Sequence, residues 1–295
     1  MKQGLPPDIL RKIRFIQIQT THLAQDVLAG AYRSAFKGRG MDFEEVRAYQ
    51  MGDDPHSINW PVTARMNAPY IKIFREERDL TVLLIVDVSA STYFGSGTVL
   101  KKEMIAEIAA VLAFSAIRNH DRVGLILFSD GVEKYLPPKK GERHVLRVIR
   151  ELLLYKPTKR GSNLKEVLMF LGKVQRKSSI CFLVSDFLYP LCEHELSLAA
   201  RQHDLIAIHV IDPREQKFPS LGLLSVTDLE NGRQQRIDSS SALLQTHFQD
   251  AVSKQRADLA HLLGKIGASR VEIDIGKAYL PPLKKFFRIR GKQRL

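Results

Sequence analysis

The chain has 295 residues, 44% hydrophobic and 26% charged, and its 45 Lys and Arg against 32 Asp and Glu give a formal net charge of +13. That length can bury one large core or two modest ones, and the proportions are those of an ordinary soluble globular protein. No apolar run approaches the roughly 20 residues of a membrane helix, the start M-K-Q-G-L-P-P-D has no apolar signal core, and Cys181 and Cys192 offer neither a disulfide framework nor a zinc spacing. A cytoplasmic location is therefore expected. The positive charge suits nucleic acid, a membrane surface or an acidic protein partner, and equally an unspecialised basic surface.

Residues 5–28 carry Leu, Ile and Val at helical spacing, with Pro6 and Pro7 near the start and Gly30 at the expected end. Residues 30–79 are charged and punctuated by Gly, with a short strand expected over Ile71 to Phe74. Asp53 and Asp54 before Pro55 read as turn caps. Trp60, the sole tryptophan, is expected to anchor this segment on the following domain. The alternation of Glu44, Glu45, Arg47, Asp53, Asp54, Arg65, Arg75, Glu76 and Arg78 reads as internal salt bridges.

From Thr81 the pattern becomes regular. Val82 to Val86 is a continuous aliphatic run, the mark of a strand buried on both faces. A helix is expected over 99–118, with Ile105, Ile108, Ala109, Leu112 and Ala116 on one face. Strand 122–128 follows, then a hairpin partner near Val132 to Leu136 and helices at 142–154 and 163–173. Strand 179–185, helix 193–202 and strand 204–211 continue the alternation. Residues 222–238 read as a hairpin with Asn231-Gly232 as its turn. A long helix at 240–267, a strand at 270–275 and a helix at 278–288 complete the pattern. The C-terminal residues Lys284, Lys285, Arg288, Arg290, Lys292 and Arg294 are strongly basic. Strands alternating with helices define an α/β fold with a doubly wound, mostly parallel sheet. The expected organisation is a segment 1–79 packed on a sheet domain 80–295 that carries the hairpin as an insertion.

The chemistry concentrates where strands end. Val86 is followed by D-V-S-A-S, which presents Asp87, Ser89 and Ser91. A second segment, R-G-S-N-L at 160–164, displays Ser162 on a tight turn before a helix, and a third, S-D-F at 185–187, ends a strand with Asp186. Each alone reads as a helix N-cap. Together, at the carboxyl edge of one sheet, they supply hard oxygen ligands suited to Mg²⁺ or Mn²⁺.

This set resembles the von Willebrand factor A-like domain and its metal-ion-dependent adhesion site, written D-x-S-x-S, then Thr, then Asp. The resemblance places Asp87, Ser89 and Ser91 in the first loop, Ser162 where the family usually has Thr, and Asp186 in the third loop. Serine keeps the hydroxyl but lacks the methyl that fixes its rotamer. Implied are direct contacts from the serine hydroxyls, aspartates acting through water or as supports, and one open position that a partner's carboxylate completes. Upstream, F-K-G-R-G (36–40), E-V-R-A-Y (45–49), G-D-D-P-H-S-I-N-W (52–60), T-A-R (63–65) and F-R-E-E-R-D (74–79) are similar to the bacterial domain of unknown function 58 family. Some members of that family carry membrane anchors, and this chain is similar to the shorter soluble type. Family members are commonly encoded beside MoxR-type AAA+ ATPases, which implies an adaptor or chaperone-like role with such an ATPase.

Enzymatic readings lack their parts. A haloacid-dehalogenase-like phosphatase needs a second Asp where Ser89 stands. A receiver domain needs an acidic pair that is not evident. No G-x-x-x-x-G-K-[ST], H-E-x-x-H or G-x-S-x-G occurs. The expectation is a non-enzymatic, metal-dependent protein-binding module, with nucleic-acid binding through the basic surface and tail as the alternative. Lys134, Lys139, Lys140, Arg143, Arg147, Arg150, Lys156, Lys159, Arg160 and Lys165 crowd the region around Ser162, against only Glu142 and Glu151. Of these, Lys156, Lys159 and Arg160 are expected to rim the open metal position and to attract an acidic partner.

Overall fold

The computed structural model describes residues 27–36, 41–76, 80–97, 99–230 and 232–292. Its centre is a six-stranded sheet built from β3 (Thr81–Asp87), β4 (Arg122–Phe128), β5 (Val132–Lys139), β6 (Ile180–Ser185), β7 (Asp204–Ile211) and β10 (Ser269–Asp274). The spatial order is β10-β7-β6-β3-β4-β5. All neighbours are parallel except β5, which returns antiparallel on β4. The expected α/β doubly wound, mostly parallel sheet is therefore present, with 270–275 joining it as β10.

Side chains of β3 alternate between two apolar layers, as strand geometry requires. Val82, Leu84 and Val86 enter one layer, with α3 (Lys101–Arg118), α4 (Glu142–Leu154) and α9 (Leu280–Lys292). Leu83 and Ile85 enter the other, with α5 (Leu164–Val174), α6 (Glu193–Gln202) and α8 (Ala242–Lys265). A strand covered on both faces has no polar side, which is why its sequence is a continuous aliphatic run.

The first described helix, α1 (Val27–Phe36), runs through Gly30. The helix therefore does not stop at that glycine as expected, and residues 5–26 lie outside the described residues. Tertiary packing outweighs the low helix propensity of Gly here: Tyr32 and Phe36 are buried and meet Phe287 of α9 at ring-centroid distances of 5.7 and 5.8 Å.

Strands β1 (Met41–Ala48) and β2 (Tyr70–Glu76) form a separate antiparallel pair, with α2 (Trp60–Met66) between them. Asp54 accepts a hydrogen bond from the His56 amide at 2.9 Å, and Arg47 reaches both oxygens of Asp53 at 2.8 and 2.9 Å. Of the expected caps and salt bridges, the described residues thus show the Asp54 turn cap and the Arg47–Asp53 pair. Trp60 is not the anchor the sequence suggests: it is 69% exposed on the first turn of its short helix.

Strands β8 (Leu223–Thr227) and β9 (Gln234–Asp238) make the expected hairpin, a separate two-stranded sheet. The short α7 (Pro213–Gln216) precedes it. At the chain end, Arg290 is buried, pairs with Asp204 and donates to Ser269 Oγ at 2.9 Å. This member of the basic tail therefore belongs to the core rather than to a free cationic surface.

Candidate metal and partner site

Strand order puts the site where it is. Successive connections lead from β3 to β4 on one side and from β6 to β7 on the other, so β3 and β6 flank the point where the sheet's winding reverses. The carboxyl ends of such strands leave a crevice, and Asp87 and Asp186 stand there.

Asp87 ends β3 and is buried. Its Oδ1 accepts from the Ser89 amide at 2.9 Å and its Oδ2 from Ser185 Oγ at 2.7 Å. The Ser89 and Ser91 hydroxyls lie 3.1 Å apart. Downstream, Thr92 Oγ1 donates to the Ser89 carbonyl at 2.7 Å and closes the loop as a tight turn. Burial pushes the Asp87 carboxyl up to about 7 and nearby Asp186 adds to this, while the Ser89 and Ser185 hydrogen bonds hold it back.

The 160–164 segment is tied to this loop through backbone. The Ala90 amide donates to the Arg160 carbonyl at 2.9 Å, and the Asn163 amide to the Ser129 carbonyl at 2.8 Å. A Cβ at Gly161 would meet the Asp130 carboxylate, so that side chain would have to turn aside. Ser162 Oγ is buried and makes no hydrogen bond of ordinary geometry. A buried hydroxyl without a partner is unfavourable by about 1–3 kcal/mol unless something else meets it.

Asp186 follows β6. The next residue, Phe187, has φ of 53°, a left-handed conformation rare for a bulky residue. Ser185 Oγ accepts from the Phe187 amide at 3.0 Å and Asp186 Oδ1 from the Leu188 amide at 3.3 Å, which hold that turn. The structure thus brings Asp87, Ser89, Ser91, Ser162 and Asp186 to one edge. Among the described residues no group of three or more His, Cys, Asp or Glu is arranged to hold a metal ion. The ligand supply at this edge is rich in hydroxyls and holds two carboxylates.

Several residues of this edge were not singled out in the sequence. The foremost is Lys101, at the start of α3, whose fully buried ammonium lies 2.6 Å from Asp186 Oδ2 and 2.5 Å from Glu215 Oε1. Asp212, at the end of β7, accepts from the Ser96 amide and hydroxyl at 2.8 and 2.6 Å. These contacts fasten Ser96, the start of α3 and α7 beside the site.

Glu133 organises the loop leading to Ser162. It accepts from Ser129 Oγ at 2.5 Å, Tyr155 OH at 2.9 Å, Thr158 Oγ1 at 2.8 Å and the Lys159 amide at 3.2 Å. Burial opposes its charge, but the hydrogen bonds from Ser129, Thr158 and Tyr155 prevail and hold its carboxyl down at about 2. A depressed carboxyl stabilises above its unfolded value and loses that contribution as pH falls through the folded value. Loop order from Glu133 is therefore complete above about pH 4.5 and fades toward pH 2. Glu133→Gln should speed amide exchange at Thr158 and Lys159 about tenfold at pH 7, the effect of about 1.5 kcal/mol of lost charged hydrogen bonding. Unchanged exchange would show that the loop is ordered by other contacts.

Lys156, Lys159 and Arg160 are exposed on this loop, and among the described residues no ion pair engages them. Other members of the basic crowd are paired: Lys134 with Glu151 at 2.9 Å, Arg150 with Glu151 at 3.2 Å and Lys165 with Glu195 at 3.4 Å. The free charge is narrower than the sequence suggests: it lies on the segment before Ser162 and at Lys139, Arg143 and Arg147, which are exposed as well.

A central parallel sheet with D-x-S-x-S at the end of its first strand, and Ser162 and Asp186 on the adjoining loops, defines a von Willebrand factor A-like domain. The family model "Protein of unknown function DUF58" matches residues 45–258, and the chain belongs to that family. It is 27% identical over 285 residues to the uncharacterized protein Rv1480 of Mycobacterium tuberculosis, covering 95% of this chain and 89% of that one. Among solved structures, BatB from Bacteroides thetaiotaomicron is similar, with 14% identity, a TM-score of 0.48, and coverage of 72% of this chain and 98% of that chain. The SpRpn10 VWA domain is similar at 16% identity and a TM-score of 0.38, over 69% of this chain and 93% of that one.

Proposed function

We propose that this chain is a non-enzymatic protein-binding module that grips a partner's carboxylate through Mg²⁺ or Mn²⁺ held by Ser89, Ser91 and Ser162, with Asp87 and Asp186 in support. The observation that carries this reading is the 3.1 Å spacing of the Ser89 and Ser91 hydroxyls at the end of the strand that carries Asp87, on a loop tied to the Ser162 segment by the Ala90 amide and the Arg160 carbonyl. Neighbouring oxygens in an octahedron with Mg–O bonds of about 2.1 Å lie roughly 3 Å apart, so these two hydroxyls fit adjacent positions on the ion. The bound ion supplies a Lewis-acidic position open to one more oxygen. The chain's own residues do the rest. Asp87 fixes the Ser89 turn and Ser185, and Glu133 orders the loop that carries the exposed Lys156, Lys159 and Arg160.

Positive charge around an oxygen-seeking position favours an Asp or Glu on an acidic protein surface. A MoxR-type AAA+ ATPase is the proposed partner, with this chain as its adaptor. Charge at the rim acts chiefly on the rate of encounter, whereas the buried contact sets the lifetime. With such an ATPase immobilised, Lys159→Glu with Arg160→Glu should slow association several-fold, and EDTA should speed dissociation. Kinetics indifferent to both, with the protein folded, place the interface elsewhere. The alternative of nucleic-acid binding rests on the net charge of +13. DNA binding that weakens steeply with salt but ignores EDTA would favour it.

A further inference from the structure

The β8–β9 hairpin stands outside the main sheet as a two-stranded ribbon. Its two faces differ. Leu223, Ser225 and Thr227 stand opposite Asp238, Arg236 and Gln234, and all of these are exposed. On the other face Leu224, Val226 and Ile237 are half-buried. A two-stranded ribbon is marginal by itself, and an open strand edge invites a further strand. Among the described residues β9 pairs with β8 alone. Its sequence Q-Q-R-I-D has neither the Pro nor the Lys that commonly guards an edge.

We propose that the free edge of β9 is an interface with a second copy of this chain. The two β9 strands run antiparallel about a two-fold axis at Ile237, and the ribbons join as one continuous sheet in the order β8-β9-β9-β8. The inference is independent of the metal reading. Charge decides the register. For the exposed face of one ribbon to continue as the exposed face of the other, the axis must pass where a residue stands opposite its own mate. Centred on Arg236, the pairing sets guanidinium against guanidinium. Centred on Asp238, it sets carboxylate against carboxylate. Centred on Gln234 or Gln235, it brings neither charge to the other. Centred on Ile237, each Arg236 stands opposite the partner's Asp238 on the exposed face, and symmetry makes that pair twice. The two Ile237 side chains then meet on the half-buried face, each beside the Leu224 of its own hairpin. Opposite charges directly across two strands are favourable and like charges are unfavourable. Both groups are placed for this pairing. Among the described residues no ion pair engages Arg236. Asp238 uses Oδ1 to accept from the Ser240 amide at 3.0 Å, which leaves Oδ2 for a further donor. The outer edge of β8 is less suited, because L-L-S-V-T has no charge to select a register.

Sedimentation equilibrium of the full chain at about 10–100 µM should show a monomer–dimer equilibrium, as a small interface implies. Arg236→Asp alone, or Asp238→Arg alone, should weaken it about tenfold or more, because like charges then face each other twice. The two reversals combined in one chain should restore the dimer. An equimolar mixture of the two single variants should associate where neither does by itself. Ile237→Cys should become a covalent dimer on oxidation with diamide, since cross-strand Cβ atoms lie about 5 Å apart. Gln235→Cys and the wild-type chain should not. A wild type that stays monomeric over this range overturns the proposal. So does a dimer that the single reversals leave unchanged, a combined variant that does not recover, or cross-linking through Gln235→Cys as readily as through Ile237→Cys. Should a single reversal fail to fold, the combined variant and the cysteine pair still decide.

Discussion

Replacing Lys101 with Met should lower stability to urea by about 3–5 kcal/mol, the usual consequence of removing one member of a buried ion pair. The ammonium is fully buried, Asp186 is 1% exposed and Glu215 is 22% exposed. Burial by itself lowers a lysine pKa, yet that of Lys101 is raised, because Asp186 and Glu215 together outweigh the desolvation. Met preserves the packing of the stem and removes only the charge, leaving Asp186 without a counter-ion. Glu215 then loses what holds its burial-raised carboxyl down. It takes up a proton more readily, so the deficit should shrink as pH falls from neutral. Adding Asp186→Asn should recover part of the loss, because neighbours in one network do not add. A loss below about 1 kcal/mol, or strict additivity with Asp186→Asn, would show that the pair is not the clamp described.

Most of the sheet was legible because each of its strands carries its own pattern. The aliphatic run of β3 could belong only to a strand covered on both faces, and the alternation with amphipathic helices left few topologies open. The site loops were legible for the same reason: three short polar segments each followed or preceded an unmistakable element. What escaped was decided by tertiary placement. Lys101 begins an apolar helix, where a lysine ordinarily faces water. It is buried only because α3 starts across the strand ends from Asp186, and Glu215 is 114 residues away in sequence. Glu133 lies on a hairpin whose local pattern says nothing about where its tip goes.

Composition misled in two places. Trp60 is large and unique, which suggests burial, but its helix lies on the small β1–β2 lobe and leaves the ring exposed. Arg290 sits in a basic run that reads as a solvent-facing tail, yet α9 turns it inward to Asp204, with its guanidinium over the Phe36 ring at 5.1 Å. In both cases the residue type was informative about what it could do, and packing decided which option was taken.

The account turns on Asp87, whose two oxygens hold the Ser89 amide and the Ser185 hydroxyl at once. Its loss unhooks the first loop from the third and removes a carboxylate from beside the hydroxyls proposed to hold the ion. Calorimetric titration of wild type and Asp87→Ala with MgCl₂ and MnCl₂, with the fold of each verified by circular dichroism, is the most direct measurement. Wild type should bind one ion, weakly, and folded Asp87→Ala should give no binding heat. Equal binding by both, or no binding by wild type, would contradict a metal site at these strand ends.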